Sequence, residues 1–371
     1  MSTFLQLHLL TAYAPSNLNR DDLGRPKTAK MGNSERLRIS SQSLKRAWRK
    51  SDFFTESLTE NIGVRSRKFI TEWVYNHMKE NEVSEELAKS CAIKIREHFQ
   101  KNKKENSDDE TDKKTEKKEK KSEEAKINFD MDQLIHISNN EQQEIERLVA
   151  LLINQKREPT QDELNKLIKT RQENSSIDIA LFGRMLAGKT EFSIEAACQV
   201  AHALSVSAIS IEDDFFTAVD DLNDKEKDAS SGHLGERGFA SALFYTYICI
   251  SRDLLLDNLN GDEALVEKTL KALTESAIKV APTGMQNSFA SRAYASYLLI
   301  EKGTQQPRSL AVAYFNPIRS QDMVNDAITR LEQQLDKFDQ VYGQCADDRY
   351  KLNIESGEGT LAAALTFVAQ K

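Results

Sequence analysis

Ten Lys or Arg against three Asp or Glu stand between residues 20 and 50, a local charge of +7 in a chain whose net charge is −7. Positive charge gathered in one stretch of an acidic protein points to an anionic partner for that stretch. The spacing says what kind. In E-R-L-R-I-S-S-Q-S-L-K-R-A-W-R-K, residues 35–50, a short strand around Leu37 and Ile39 leads to Ser40 and then to a helix. A serine ahead of a helical run accepts a bond from an early backbone N–H. The other amides of that turn then point outward at the positive end of the helix dipole, a natural seat for phosphate. Leu44, Ala47 and Trp48 share one face at helical spacing and are predicted to be buried. Gln42, Lys45 and Arg49 share another, with Arg46 and Lys50 beside them. One turn and one helix thus offer a hydroxyl, amides, an amide side chain and several cations to the same side, which is chemistry for tracking phosphates. A solvated basic helix face has the same pattern, and helix geometry alone does not separate the two.

Other reactive residue types are scattered. Cys91, Cys198, Cys249 and Cys345 match no metal-ligand spacing and read as reduced thiols of a cytosolic protein. His8 reads as a strand residue facing the sheet surface, and His202 as a core or boundary histidine beside an apolar helix face. Phe215 and Phe216 would point to opposite faces of a strand, so one of them is available for stacking on a base or wedging between bases, unless both anchor the strand to its own core. Nothing at the start reads as a signal peptide, and no apolar run is long enough to span a membrane.

The elements that must position these groups follow from the patterning. Residues 3–12 alternate as a strand, with Leu5, Leu7 and Leu9 on one face. A loop punctuated by Pro, Gly and Asn follows over 14–34 and carries Arg20, Arg25, Lys27 and Lys30. Residues 55–173 turn helical, with helices predicted at 66–80, 84–100, 139–154 and 160–173. Between them, residues 101–126 hold ten Lys, nine Asp or Glu and no apolar residue but Ala125, a composition that does not offset the entropy of ordering and is read as a mobile insertion. A strand is predicted at 177–181, a helix at 193–205, a protruding hairpin over about 206–238, a strong strand at 239–251 and a helix at 262–280. Strands at 293–300 and 309–315 and a final amphipathic helix at 320–343 complete the chain. The order strand, helix, insert, strand, strand, helix, strand is that of a split βαβ, ferredoxin-like domain. The expected fold is therefore α+β, an RRM-like palm from 1–54 and 174–371 with an inserted helical lobe at 55–173.

Five segments in register carry a resemblance: N-L-N-R-D-D at 17–22, R-I-S-S-Q-S-L-K-R-A at 38–47, D-I-A-L-F-G-R-M at 178–185, F-F-T-A-V-D-D-L at 215–222 and H-L-G at 233–235. Together they resemble the CasC-type backbone subunit of the type I-E CRISPR effector complex, Cascade, within the RAMP superfamily. The lysine-rich insertion is a departure from that pattern. The resemblance implies a palm, a helical fingers lobe and a thumb hairpin, in a cytoplasmic, non-catalytic protein. Its copies stack head to tail along a CRISPR RNA and present it in segments for pairing with target DNA. Implied partners are the RNA, other copies of the chain, and the large, small, guide 5′-end-binding and guide-processing endonuclease subunits of Cascade; no cofactor or metal is implied. Carried over residue by residue, Ser40, Gln42, Lys45 and Arg49 bind RNA phosphates, with Arg46 on the same helix and with support from Arg20 and Arg38. Met185 and Phe216 flank a kinked nucleotide, with Phe215 beside them, and Lys27 and Lys30 face target DNA.

Such a site holds phosphates and shape while base pairing reads sequence. Two alternatives remain. A guide-directed, metal-dependent ribonuclease would draw on Asp21, Asp22, Asp220 or Asp221, with His8 or His233 for proton transfer. A general single-stranded RNA-binding protein would need only the cationic surface.

Overall fold

The computed structural model describes residues 3–58, 61–100, 129–168, 176–186, 189–218 and 233–370. The insertion at 101–126 and the tip of the hairpin, including Asp220 and Asp221, lie outside the described residues. Along the chain come β1 (Phe4–Ser16), β2 (Thr28–Met31), β3 (Ser34–Ile39), α1 (Ser41–Arg49), α2 (Asp52–Leu58), β4 (Val64–Ser66), a π-helical segment (Ile70–Asn76), α3 (His77–Glu80), α4 (Glu85–Phe99), β5 (Ile135–Ile137), α5 (Asn139–Gln155) and α6 (Gln161–Asn165). Then follow α7 (Ile177–Phe182), β6 (Cys198–Val200), β7 (Ala203–Ser205), β8 (Glu212–Ala218), β9 (His233–Ser251), α8 (Arg252–Asn258), α9 (Glu263–Lys279), α10 (Gln286–Phe289), β10 (Ala295–Gly303), α11 (Met323–Tyr342), β11 (Asp348–Asn353) and α12 (Leu361–Ala369).

The chain divides into two compact units. The first comprises Met1–Thr59, Ala197–Asp257 and Asp262–Lys371. Its sheet runs β11-β10-β1-β9-β7-β3-β2, antiparallel at every pairing, with β6 and β8 also on β9. Leu5 to Leu10 of β1 are all buried, so this strand is covered on both faces. On one face, Leu10, Tyr245, Tyr297 and Leu299 share a core with Leu310, Tyr314 and Ile318 and with Ala327, Ile328, Leu331 and Leu335 of α11. Leu5, Leu7 and Leu9 point to the other face, and α9, which buries Val266, Leu270 and Leu273, packs against β10, α12, α2 and α1. Each such leucine contributes about 1.5–3 kcal/mol on burial.

The α11 face also holds buried charge. His8 is fully buried, with Nδ1 2.8 Å from the Tyr245 hydroxyl and Nε2 3.2 Å from Glu301 Oε2. Arg308 and Arg349 donate to the same carboxylate at 2.6–3.0 Å. Burial alone would raise the Glu301 carboxyl, but the hydrogen bonds from His8 and Arg308 outweigh it and hold the pKa down at about 2. Burial lowers the His8 pKa, more than the Glu301 carboxylate raises it, so the ring is neutral.

The second unit, Glu60–Ala196 with Asn258–Gly261, has its own core. Phe69, Val74, Ile95, Phe99, Ile145, Leu148 and Leu152 meet in it, as helical spacing requires. The predicted lobe ended at 173, whereas this unit runs on to Ala196. Leu186 lies in its core, the buried Arg184 guanidinium pairs with Glu141 at 2.7 Å, and Asn258 Nδ2 donates to the carbonyls of Ala180 and Glu195. Glu141 also closes a capping box with Ser138 at the start of α5.

Several elements differ from the sequence reading. The predicted loop at 14–34 contains β2, paired with β3 around a turn at Gly32. The predicted strand at 177–181 is helix α7. Its apolar positions 177 and 181 fit a helical turn as well as alternation, and Ile177 to Leu181 are all buried, including Asp178, which accepts from Gly63 N and contacts His136 Nε2. The predicted helix at 193–205 is two short strands, because β9 offers backbone partners that override the alanine-rich propensity. Residues 311–314 form a 3₁₀ turn, not a strand. The helix α11 is not the last element, since β11 and α12 follow it. His8 does not face an open sheet surface but lies under α11's side of the core.

Candidate nucleic-acid interface

Ser40 sits in extended conformation and its hydroxyl accepts from Ser43 N at 3.3 Å, starting α1 where the sequence placed it. Leu44 and Trp48 are buried, Ala47 is half-buried, and Lys50 N closes the last turn on Arg46 O. Arg46 and Arg49 lie in that last turn, where cations complement the helix dipole. The amide expectation needs correction. Ser40 N donates to Asn19 Oδ1 at 2.9 Å, and Ser41 N donates to His202 Nδ1 at 3.2 Å. With Ser43 N on the Ser40 hydroxyl, three amides of this terminus are already engaged, so anion binding falls mainly to side chains. The Ser40 hydroxyl keeps its own hydrogen for donation.

The loop before the helix is built to hold its cations in place. Asn17 is buried and donates from Nδ2 to the carbonyls of Gly24 and Gly238, both at 2.9 Å. Asp21 Oδ1 accepts from Leu23 N and Arg25 N, closing a turn in which Gly24 has φ +81. Arg25 pairs with Asp213 of β8 at 3.0 Å. Lys27 N donates to Asn19 O, and Arg38 N to Lys27 O, which sets these two residues side by side. His202, predicted to be a core or boundary residue, is instead exposed. Its pKa is lowered by partial burial and then by the charges of Arg38, Lys27 and Lys45.

Of the sequence candidates, Ser40, Lys45, Lys27 and Arg38 therefore gather beside His202, and Gln42 is exposed on the first turn of α1. Arg49 does not join the exposed face: it is 8% exposed. Arg20 and Arg46 line a cavity of about 1060 Å³ with Lys50, Lys279, Gln286, Arg292 and Tyr294. Lys30 is exposed on β2 opposite Glu35. Arg36, also counted in the basic stretch, is fully buried and donates to the carbonyls of Ser205, Tyr314 and Phe315 at 2.9–3.3 Å, so it is structural. Met185 belongs to the second unit and is 81% exposed there.

The two aromatics of β8 separate as strand alternation requires. Phe215 is 68% exposed. Phe216 lies over its cross-strand partner Gly235, with the Arg237 guanidinium 4.7 Å from the ring centroid. A Cβ at position 235 would collide with that ring, which explains the glycine of H-L-G. Among the residues sequence reasoning missed, His202 was hidden by the wrong element assignment. Gln286 and Arg292 sit in the polar segment after Pro282 and Gly284, whose density of hydrogen-bonding groups was the available signal. Among the described residues, no group of His, Cys, Asp or Glu could hold a metal ion, and no helix is long and apolar enough to cross a membrane.

The profile of the family described as CT1975-like protein, a Cas family, matches residues 5–367. No curated protein matches. Among solved structures, a chain of a "CRISPR RNA-guided surveillance complex, pre-nicking" superposes with a TM-score of 0.80 at 26% identity, covering 99% of each chain. A chain of a second "CRISPR RNA-guided surveillance complex" does so with a TM-score of 0.69 at 20% identity, again over 99% of each, and speaks for the fold.

Proposed function

The chain belongs to the CT1975-like protein family, and from that premise we propose that it is a non-catalytic, CRISPR RNA-binding backbone subunit of a Cascade-type effector complex, of type I-E. The observation that carries this reading is the end-to-end likeness to a chain of an RNA-guided surveillance complex, joined to the cation cluster around α1. In this reading Lys45 and Arg38 neutralise guide phosphates, and the Ser40 hydroxyl and Gln42 amide donate to their oxygens. Arg46 and Arg20 extend the positive surface, and Lys27 and Lys30 face the target strand. Phe215 and Phe216 of one copy and Met185 of a neighbouring copy border the nucleotide displaced between segments. Copies stack head to tail along the guide in the cytoplasm, with the remaining Cascade subunits at its ends and flank.

The RRM-like reading of the first unit is supported by the strand order β10-β1-β9-β7, which is last, first, third and second of a βαββαβ chain with α1 and α9 as its helices. A binding role is favoured over a ribonuclease because the nearest candidates for acid–base work are committed elsewhere. The Asp21 carboxylate caps its own loop, and His8 is sealed against Glu301. Incubating the purified protein with matched RNA and divalent metal should leave the RNA intact.

The direct test is a filter-binding titration with CRISPR RNA across salt concentrations. Lys45→Ala is expected to weaken binding and to reduce the salt slope by about 0.7 per lost phosphate contact. An unchanged affinity and slope would reject the assignment.

A further inference from the structure

Four cations of the first unit that make no salt bridge among the described residues line one cavity. Arg20 from the loop, Arg46 and Lys50 from α1 and Arg292 from the segment before β10 all line the space of about 1060 Å³. Each is exposed, and none makes a salt bridge or side-chain hydrogen bond among the described residues. Three acidic residues share the wall, Asp22, Asp52 and Asp21, the last accepting from its own loop amides, and with Lys279 the cations outnumber them. Cations that converge on a concave surface without partners repel one another, and a polyanion relieves that repulsion. Two further groups are suited to a nucleotide. The Tyr294 ring is 61% exposed at the rim. Gln286, also on the wall, keeps a buried Nε2 that no protein acceptor satisfies.

Helix α1 explains how this differs from the surface already described. Lys45 lies on the side of His202, whereas Ser43, Arg46, Ala47 and Lys50 line the cavity. One helix therefore divides two positively charged surfaces. We propose that the cavity is a second phosphodiester seat, in which Arg46, Lys50 and Arg292 take consecutive phosphates of a nucleic-acid strand and Tyr294 stacks on a base. This rests on the reading of the chain as an RNA-binding backbone subunit. The strand is either the guide itself, continuing past α1, or the strand that pairs with it, and both present the same chemistry.

The test uses the full chain and a fluorescent single-stranded guide RNA, followed by a titration of the guide-loaded protein with complementary DNA. Lys50→Glu combined with Arg292→Glu is expected to weaken one of the two steps by about tenfold or more at low salt and to flatten its salt dependence. Tyr294→Ala is expected to weaken the same step by about fivefold or more with its salt slope unchanged, since stacking releases no counter-ions, and Tyr294→Phe should restore it. An effect on the first step assigns the seat to the guide, and an effect on the second alone assigns it to the paired strand. All these positions are exposed, and thermal melts should confirm that the variants fold. If both steps are unchanged in every variant while Lys45→Ala still weakens guide binding, the second seat is wrong and the backbone reading stands. If the wild-type chain binds no guide, both fall.

Discussion

At the scale of single residues, charge in the sequence is not charge at the surface. Arg36 and Arg46 stand ten positions apart in the same basic stretch, yet one spends its guanidinium on three main-chain carbonyls inside the protein and the other lines an open cavity. Arg36→Gln is expected to destabilise by about 2–4 kcal/mol, because it strands buried carbonyls and leaves unfilled space, whereas Arg46→Gln should stay within about 0.5 kcal/mol. Urea unfolding of the two variants decides it; equal midpoints would contradict the buried role. Helical spacing made Gln42 and Lys45 legible as neighbours beside Ser40, because i, i+3 and i+4 neighbours are fixed by the helix itself, but it did not show that Arg46 turns to the cavity. It did not expose the fate of Arg49, whose long side chain is buried regardless of its place on the wheel. It also did not decide between Phe215 and Phe216, which depended on a glycine across the hairpin.

At the scale of elements, the start of α1 serves stability and recognition with one hydroxyl. Ser40, itself 9% exposed, accepts from Ser43 N to begin the helix, which leaves its own hydroxyl hydrogen for donation. These roles separate in two variants. Ser40→Ala should cost about 1 kcal/mol of stability. Ser40→Asp should preserve the cap, since a carboxylate also accepts from the first turn, but repel phosphate and weaken RNA binding by about tenfold or more. Thermal melts and RNA titrations on the same preparations test this, and tight RNA binding by the aspartate variant would refute the role of Ser40. The elements that the sequence mis-stated share a cause. Residues 177–181 and 193–205 are short and apolar, and their local patterns suit either a helix or a strand. What decides is distant: β9 for residues 198–205, and Gly63 with His136 around Asp178 for α7. His202 was misplaced with its element, so the residue that takes the Ser41 amide could not be found from spacing.

For the molecule as a whole, the long strongly patterned parts were readable: β1, β9, α4, α5, α9 and α11 lie where alternation or helical spacing put them. The charge network under α11 was not, because His8, Glu301, Arg308 and Arg349 come from three distant segments. It makes a pH dependence expected. Glu301 has its folded pKa held at about 2, below the ordinary 4.5, so its contribution is present above 4.5 and is lost as pH falls toward 2. That shift corresponds to about 3 kcal/mol at neutral pH. The neutral, buried His8 acts in the same direction: its contribution is complete above the ordinary 6.5 and declines as pH drops below it. Melting temperature should therefore fall as pH drops below 6.5 and further as it drops from 4.5 toward 2, and His8→Gln should remove the earlier part of the fall; a flat profile from pH 7 to pH 2 would exclude the network as a stability determinant. A last consequence concerns β9. The nineteen residues His233–Ser251 form an unbroken strand, paired at one end with β8 and at the other with β1. Tension applied to the projecting arm travels along covalent backbone to the middle of the sheet, where Ile248 and Ile250 are fully enclosed. The arm is thus a stiff lever anchored in the body rather than a flap on a hinge, and a ligand that bends it must strain the sheet as well.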